Sequence, residues 1–270
     1  MQLVKNMISG ISKKNKILLD KLAKNWEKPF SIQDAAKLLR QSKEKTRITL
    51  AYLTRKGWLS RIKQGLYIVV PLGTTNPQEY KEHPWIVANQ VFAPCYIGGW
   101  SAAEYWKFTD QIFNSVVVIT TRKLKYTQTT IQETKYVIKC ISKKYFNNRK
   151  SIWFENAKIF VSDPLQTVVD ILDAPNIGGG IRHVADIVQE YFDSTYVNDK
   201  QLCKYIKQKN NRTIYKRLGY LIDTLKIDAK DLRAVCKKNI SSGYSLLDPK
   251  VKSQGRFNTR WNLRINVRIR

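Results

Sequence analysis

Apolar positions along the chain change their period several times, and each change marks an element. From Asn15 to Trp26, Ile17, Leu18, Leu22 and Trp26 fall near one face at spacings of three and four, which predicts a helix ended by Pro29. Ser31-Ile-Gln-Asp34 has the form of a capping box and predicts a short second helix ending near Leu39. A third helix is predicted from about Lys43 to Lys56, stopped by Gly57. Trp58–Ile62 and Leu66–Val70 then read as strands joined through Lys63-Gln64-Gly65. Three helices with a short middle turn, closed by a basic hairpin, predict a winged helix-turn-helix over residues 1–75.

The stretch from Pro71 to Pro84 reads as irregular, and a mixed domain is expected over residues 76–270. A helix is predicted over Trp85–Val91, and Ser101 is placed as the cap of a short aromatic helix. Strands are expected at Ser115–Thr120, Tyr136–Ile141 and Ile159–Val161. Asp163-Pro164 opens a helix carrying Leu165, Val168, Val169 and Leu172. Gly178-Gly-Gly180 breaks the chain before a helix over Ile181–Phe192, and three more follow near Asp199–Lys209, Thr213–Thr224 and Ala229–Lys238. Strands early and helices late give an α+β fold class, a winged helix-turn-helix followed by a mixed α/β domain. In the last ten residues Trp261, Leu263, Ile265, Val267 and Ile269 alternate with Asn262, Arg264, Asn266, Arg268 and Arg270. Period two predicts a strand, either an edge strand protected by its arginines or a cationic surface on which Arg264, Arg268 and Arg270 meet phosphates.

Composition sharpens this picture. The chain has 270 residues, 43% of them hydrophobic, enough for real cores. Forty-eight Lys and Arg oppose 21 Asp and Glu, a net charge of +27. Residues 1–75 hold 16 basic and 4 acidic residues, 76–225 hold 20 and 14, and 226–270 hold 12 and 3. Two basic ends flanking an ordinary middle suggest a polyanionic partner, though a genome biased toward Lys, Asn and Ile codons would give a similar excess. Val116–Ile119 and the other apolar runs are too short to span a bilayer, and the opening Met1-Gln-Leu-Val-Lys-Asn lacks a secretory h-region. A cytoplasmic protein without membrane contact is expected. Cys95, Cys140, Cys203 and Cys236 are scattered and only His83 and His183 accompany them, so neither metal nor cofactor is expected.

The candidate chemistry lies on the third helix. A helical wheel puts Thr46, Leu50 and Leu53 on the packing face, and Glu44, Ile48, Ala51, Tyr52 and Arg55 opposite, with Lys45 and Arg47 at the margins. Lys43, Lys45, Arg47, Tyr52 and Arg55 are the candidate DNA contacts, because donors near a recognition helix's start reach base edges and phosphates. Arg61 and Lys63 on the hairpin suit phosphate or minor-groove contact. A protein-binding winged helix would carry much the same pattern. No P-loop, G-x-S-x-G or H-E-x-x-H occurs. Asp110 with Glu133-Thr-Lys135 resembles the D…E-x-K metal site of restriction-type nucleases, but here the E-x-K precedes its apolar strand. An enzyme is therefore not expected.

Leu50-Ala-Tyr-Leu53-Thr-Arg-Lys-Gly57-Trp-Leu-Ser-Arg61-Ile-Lys-Gln-Gly65-Leu-Tyr67 is similar to the helix-then-wing segment of the AbiEi-type antitoxins of bacterial type IV toxin–antitoxin (abortive infection) systems. Tyr96-Ile-Gly-Gly-Trp-Ser101-Ala, Asp163-Pro164 with Thr167 and Asp170-Ile-Leu172, and Gly178-Gly-Gly-Ile181 resemble the family's middle part. Arg217-Leu-Gly219-Tyr-Leu221 and Tyr244-Ser-Leu-Leu247-Asp-Pro249 … Arg260-Trp261 … Asn266 resemble its later part. The resemblance spans nearly the whole chain. It implies a winged-helix transcriptional repressor that binds double-stranded DNA at inverted repeats in its own promoter. It also implies a C-terminal domain that counteracts a nucleotidyltransferase-like toxin without a stable complex. A solo regulator whose body senses a ligand or a protein is one alternative, and a metal-dependent nuclease built on Asp110, Glu133 and Lys135 is the other.

Overall fold

The computed structural model describes residues 12–26, 28–71, 73–154 and 157–269. The fold is mixed α and β, with helices and, among the described residues, three separate sheets. Two compact units emerge, the first running to Gln90 and taking in Ile131–Glu133 and Trp153–Ala157, the second holding the remainder.

The first unit begins with α1 (Lys13–Asn25), whose start is capped by Ser12. Next come β1 (Phe30–Ser31) and α2 (Ile32–Leu39). The capping box forms as expected: the Ser31 hydroxyl accepts from the Asp34 amide at 3.1 Å, and the Asp34 carboxylate accepts from the Ser31 amide at 3.1 Å. Hydrogen bonds from the Ser31 hydroxyl and amide hold the Asp34 carboxyl below the usual carboxylate range. Helix α3 (Lys43–Arg55) follows, then β2 (Leu59–Lys63) and β3 (Leu66–Val69). The three strands form one sheet in the order β1-β3-β2, with both pairings antiparallel. Leu22, Phe30, Ala35, Leu50, Leu53 and Leu59 close a core between helices and sheet.

Between Pro71 and Pro84 the regular structure among the described residues is one 3-10 turn, Pro77–Glu79. Helix α4 (Pro84–Phe92) starts one residue ahead of the predicted segment.

The second unit is built on a six-stranded sheet. Its strands are β4 (Cys95–Ile97), β5 (Ser115–Thr120), β6 (Gln128–Ile131), β7 (Thr134–Cys140), β8 (Arg149–Phe154) and β9 (Ala157–Ser162), in the order β6-β7-β5-β4-β9-β8. β4 runs antiparallel to β5 and parallel to β9, and β5 runs parallel to β7. Helix α5 (Gly99–Tyr105) packs on β5. Ser101 is not its cap: the N-cap is Gly98, and the buried Ser101 hydroxyl accepts from the Val117 amide at 3.1 Å, tying helix to sheet. Helix α6 (Pro164–Asp173) opens on Asp163 as expected and is buried almost throughout, because α5, α7 (Ile181–Asp193), α8 (Asp199–Lys209) and α9 (Thr213–Thr224) all pack against it. Helix α10 (Lys230–Asn239) lies against α9.

The last ten residues depart from the expected single strand. Among the described ones Leu263–Ile265 alone form a strand, β12, and it is no edge: it lies between β10 (Ser245–Leu246), parallel to it, and β11 (Arg256–Asn258), antiparallel. The apolar half of the alternation serves the core, since Trp261 and Leu263 are fully buried with α9 and α10 residues. The polar half binds neighbouring backbone. Asn266 Nδ2 donates to the carbonyls of Asp248 and Val251 at 2.7 and 3.1 Å, and Asn262 Nδ2 donates to that of Ser241 at 3.0 Å.

Candidate nucleic-acid interface

Helix α3 sorts its residues cleanly into two faces. Ser42 caps it, its hydroxyl accepting from the Lys45 amide at 3.3 Å. Thr46, Leu50 and Leu53 are fully buried against the core, as the wheel predicts. Lys43, Lys45, Arg47 and Arg55 are exposed, and among the described residues none of the four is ion-paired. Tyr52 is half-buried and its ring packs on the core, so it belongs more to the footing of the helix than to its open face.

The β2–β3 hairpin carries the other two candidates. Its turn passes through Gly65 at φ +78°, a backbone conformation that glycine accepts without strain. Register slips by one residue between Arg61 and Lys63, a bulge that twists the strand and re-aims its side chains. Arg61 and Lys63 are both exposed around a buried Ile62. Sequence reading missed the bulge, which has no signal of its own in Leu59-Ser-Arg-Ile-Lys63.

Ile48 lies on the same outer face of α3 but is not among the candidate DNA contacts. It is 69% exposed, set among Lys45, Arg47 and Tyr52 on a helix whose apolar needs are met by the opposite face. Its position on the outer face was legible; its chemistry is that of an apolar contact, such as one with a thymine methyl.

The other candidates are dispersed. Arg264 sits on β12 and is half-buried, while Arg268 is exposed and its carbonyl accepts from Arg182 Nε at 3.1 Å. Arg270 lies outside the described residues. Asp110 lies in the segment between α5 and β5, Glu133 in the turn joining β6 and β7 at φ +63°, and Lys135 on β7. Glu133 is engaged in an ion pair with Lys81. Among the described residues no group of three or more His, Cys, Asp or Glu could hold a metal ion. Gly179 and Gly180 take positive φ before α7, and the first amide of that helix, on Ile181, donates to the Asp248 carboxylate at 2.9 Å. That carboxylate occupies the place where a phosphate would be cradled.

Buried charge in the second unit concentrates around α6. Asp170 is fully buried and accepts from Tyr96 Oη, Gln166 Nε2 and Lys209 Nζ, each at 2.8 Å. Burial pushes the Asp173 carboxyl up, but the ammonium groups of Lys139 and Lys209 outweigh it and hold the carboxyl below its usual range. Lys209 moves the other way: burial opposes its charge, while Asp170 and Asp173 more than offset this and raise its pKa. Arg217, also buried, donates to the carbonyls of Leu172, Leu246 and Leu247, and desolvation lowers its pKa to about 10. These groups saturate one another, an arrangement suited to holding helices in register. No helix among the described residues is long and apolar enough to cross a membrane. No family model matches the chain, and no curated sequence matches it.

Proposed function

We propose that this protein is a DNA-binding antitoxin that represses its own operon, its first unit acting as a winged helix-turn-helix on double-stranded DNA. One observation carries the DNA reading. On α3 a fully buried seam of Thr46, Leu50 and Leu53 leaves Lys43, Lys45, Arg47 and Arg55 exposed and unpaired. A helix so footed can lie in a major groove with its first turns toward base edges, while Arg61 and Lys63 on the hairpin take phosphates. The antitoxin half of the proposal rests on the resemblance along the rest of the chain. There the second unit would counteract a nucleotidyltransferase-like toxin.

Titrating full-length protein against its own upstream duplex and a scrambled duplex, across a salt series, tests the first half. The expected result is a preference for the upstream sequence that persists as salt rises. Equal affinities with a common steep salt slope would refute it, since a +27 protein binds phosphate chains in any case. Co-expression with the product of an adjacent nucleotidyltransferase-like gene tests the second half. Growth rescue that survives Arg47→Ala supports a separate antitoxin function in the second unit, and absence of rescue by the intact chain removes it.

A further inference from the structure

The strands at the end of the second unit carry exposed rings that the core does not use. β11 pairs with β12 so that Phe257 lies opposite Arg264. Phe257 is 58% exposed and Tyr244 is 49% exposed, and the two rings meet edge to face with centroids 4.8 Å apart. The Arg264 guanidinium stands 5.3 Å from the Phe257 centroid, held by the Ser253 hydroxyl at 2.9 Å. The backbone beneath is closely packed: Gly255 runs at φ +102°, where a Cβ would fall 1.9 Å from the Ile265 carbonyl oxygen. Two solvated rings in contact, with a guanidinium beside one of them, are a feature that a core alone does not require.

Charge says what would cover them. From Pro249 to Ile269 the chain has six Lys and Arg and no Asp or Glu. Of these, Lys250, Lys252 and Arg256 are exposed and not ion-paired among the described residues. The complement of exposed rings bordered by cations is a chain of alternating planar faces and negative charges. A duplex keeps its base faces inside its own stack, whereas a single strand presents them.

We infer that Phe257 and Tyr244 form a stacking site for a base of a single-stranded nucleic acid, with Arg264 and Arg256 receiving the flanking phosphates. The site is separate in sequence and in unit from α3, so it stands whether or not the duplex reading does.

The test uses full-length protein with labelled oligo(U), oligo(dT) and an abasic phosphodiester strand of equal length. Base-bearing strands should bind about tenfold or more tightly than the abasic one, and the Phe257→Ala/Tyr244→Ala double variant should erase that margin with its salt slope unchanged. Phe257→Trp should keep it. Because both rings are about half exposed or more, the double variant is expected to retain its circular dichroism, while Arg47→Ala should keep oligo(U) binding unchanged. The ratio of oligo(U) to oligo(dT) affinity tells whether RNA or DNA is the preferred source of the strand. Abasic and base-bearing strands binding alike, or a folded double variant that binds oligo(U) as the parent does, would overturn the inference.

Discussion

At Thr46, α3 buries a hydroxyl that nothing bonds: the residue is fully enclosed and its Oγ1 has no hydrogen-bond partner. A buried hydroxyl without a partner loses its hydration and regains nothing, whereas valine has nearly the same shape. Thr46→Val should therefore stabilise the first unit by about 1 kcal/mol, read as a higher denaturant midpoint with an unchanged slope. An unchanged or lowered midpoint would mean that the hydroxyl is bonded in solution. Arg47 and Lys63 separate at this same scale. If Arg47 reads a base, Arg47→Ala should cost roughly 1–3 kcal/mol on the operator and little on scrambled duplex. Lys63→Ala should weaken both duplexes alike and lower the salt slope by about one. Identical behaviour of the two variants would remove that division of labour.

Gly219 shows what one hydrogen does for an element. On α9 it faces the ring of Trp261, and a Cβ there would lie 2.2 Å from the indole. The indole is otherwise fixed, its Nε1 donating to the Asp223 carboxylate at 2.8 Å. Gly219→Ala has no room to gain from helix propensity and should destabilise the second unit by about 1–3 kcal/mol through overpacking, with altered tryptophan fluorescence; an unaltered spectrum and midpoint would disprove the close contact. The same neighbourhood explains where sequence reading succeeded and failed. Caps and helical periods are local, so Ser31 with Asp34, and the bounds of α8 and α9, were legible. The two faces of α3 were legible for the same reason. β4 was not, because Cys95–Ile97 is short, buried on both sides and central, and so shows no alternation. The final alternation misled because Trp261 and Leu263 answer to the helices while Asn262 and Asn266 bind backbone, a division that depends on distant partners.

Across the whole molecule, cations outnumber acids at both ends of the chain, yet around α6 the buried Asp170 and Asp173 are each paired with lysine. This sets its response to pH. The lowered Asp173 adds stability that is complete above the ordinary carboxylate value of about 3.9 and fades as pH falls through its folded pKa. The raised Lys209 adds stability that is complete below the ordinary lysine value of about 10.4 and fades as pH climbs through its folded pKa. Unfolding of the full chain should thus be nearly independent of these groups between those limits. Lys209→Met should lose about 3–5 kcal/mol at neutral pH, as expected when a buried ion pair is broken on one side. The deficit should narrow in acid, where the stranded carboxylates become neutral. A deficit that is small at neutral pH, or constant with pH, would show that the pair is solvated.

The burial of Trp261 and Leu263 also orders events in time. The first unit draws nearly all of its residues from before Gln90, and the rest from 131–133 and 153–157, so it can close while the ribosome is still at work. The helical core of the second unit cannot, because α9 waits on an indole that is synthesised some forty residues after Gly219. Until then a nascent chain carries a finished, strongly basic head and an open apolar body. It is in that interval that chaperone capture and proteolysis would compete for it.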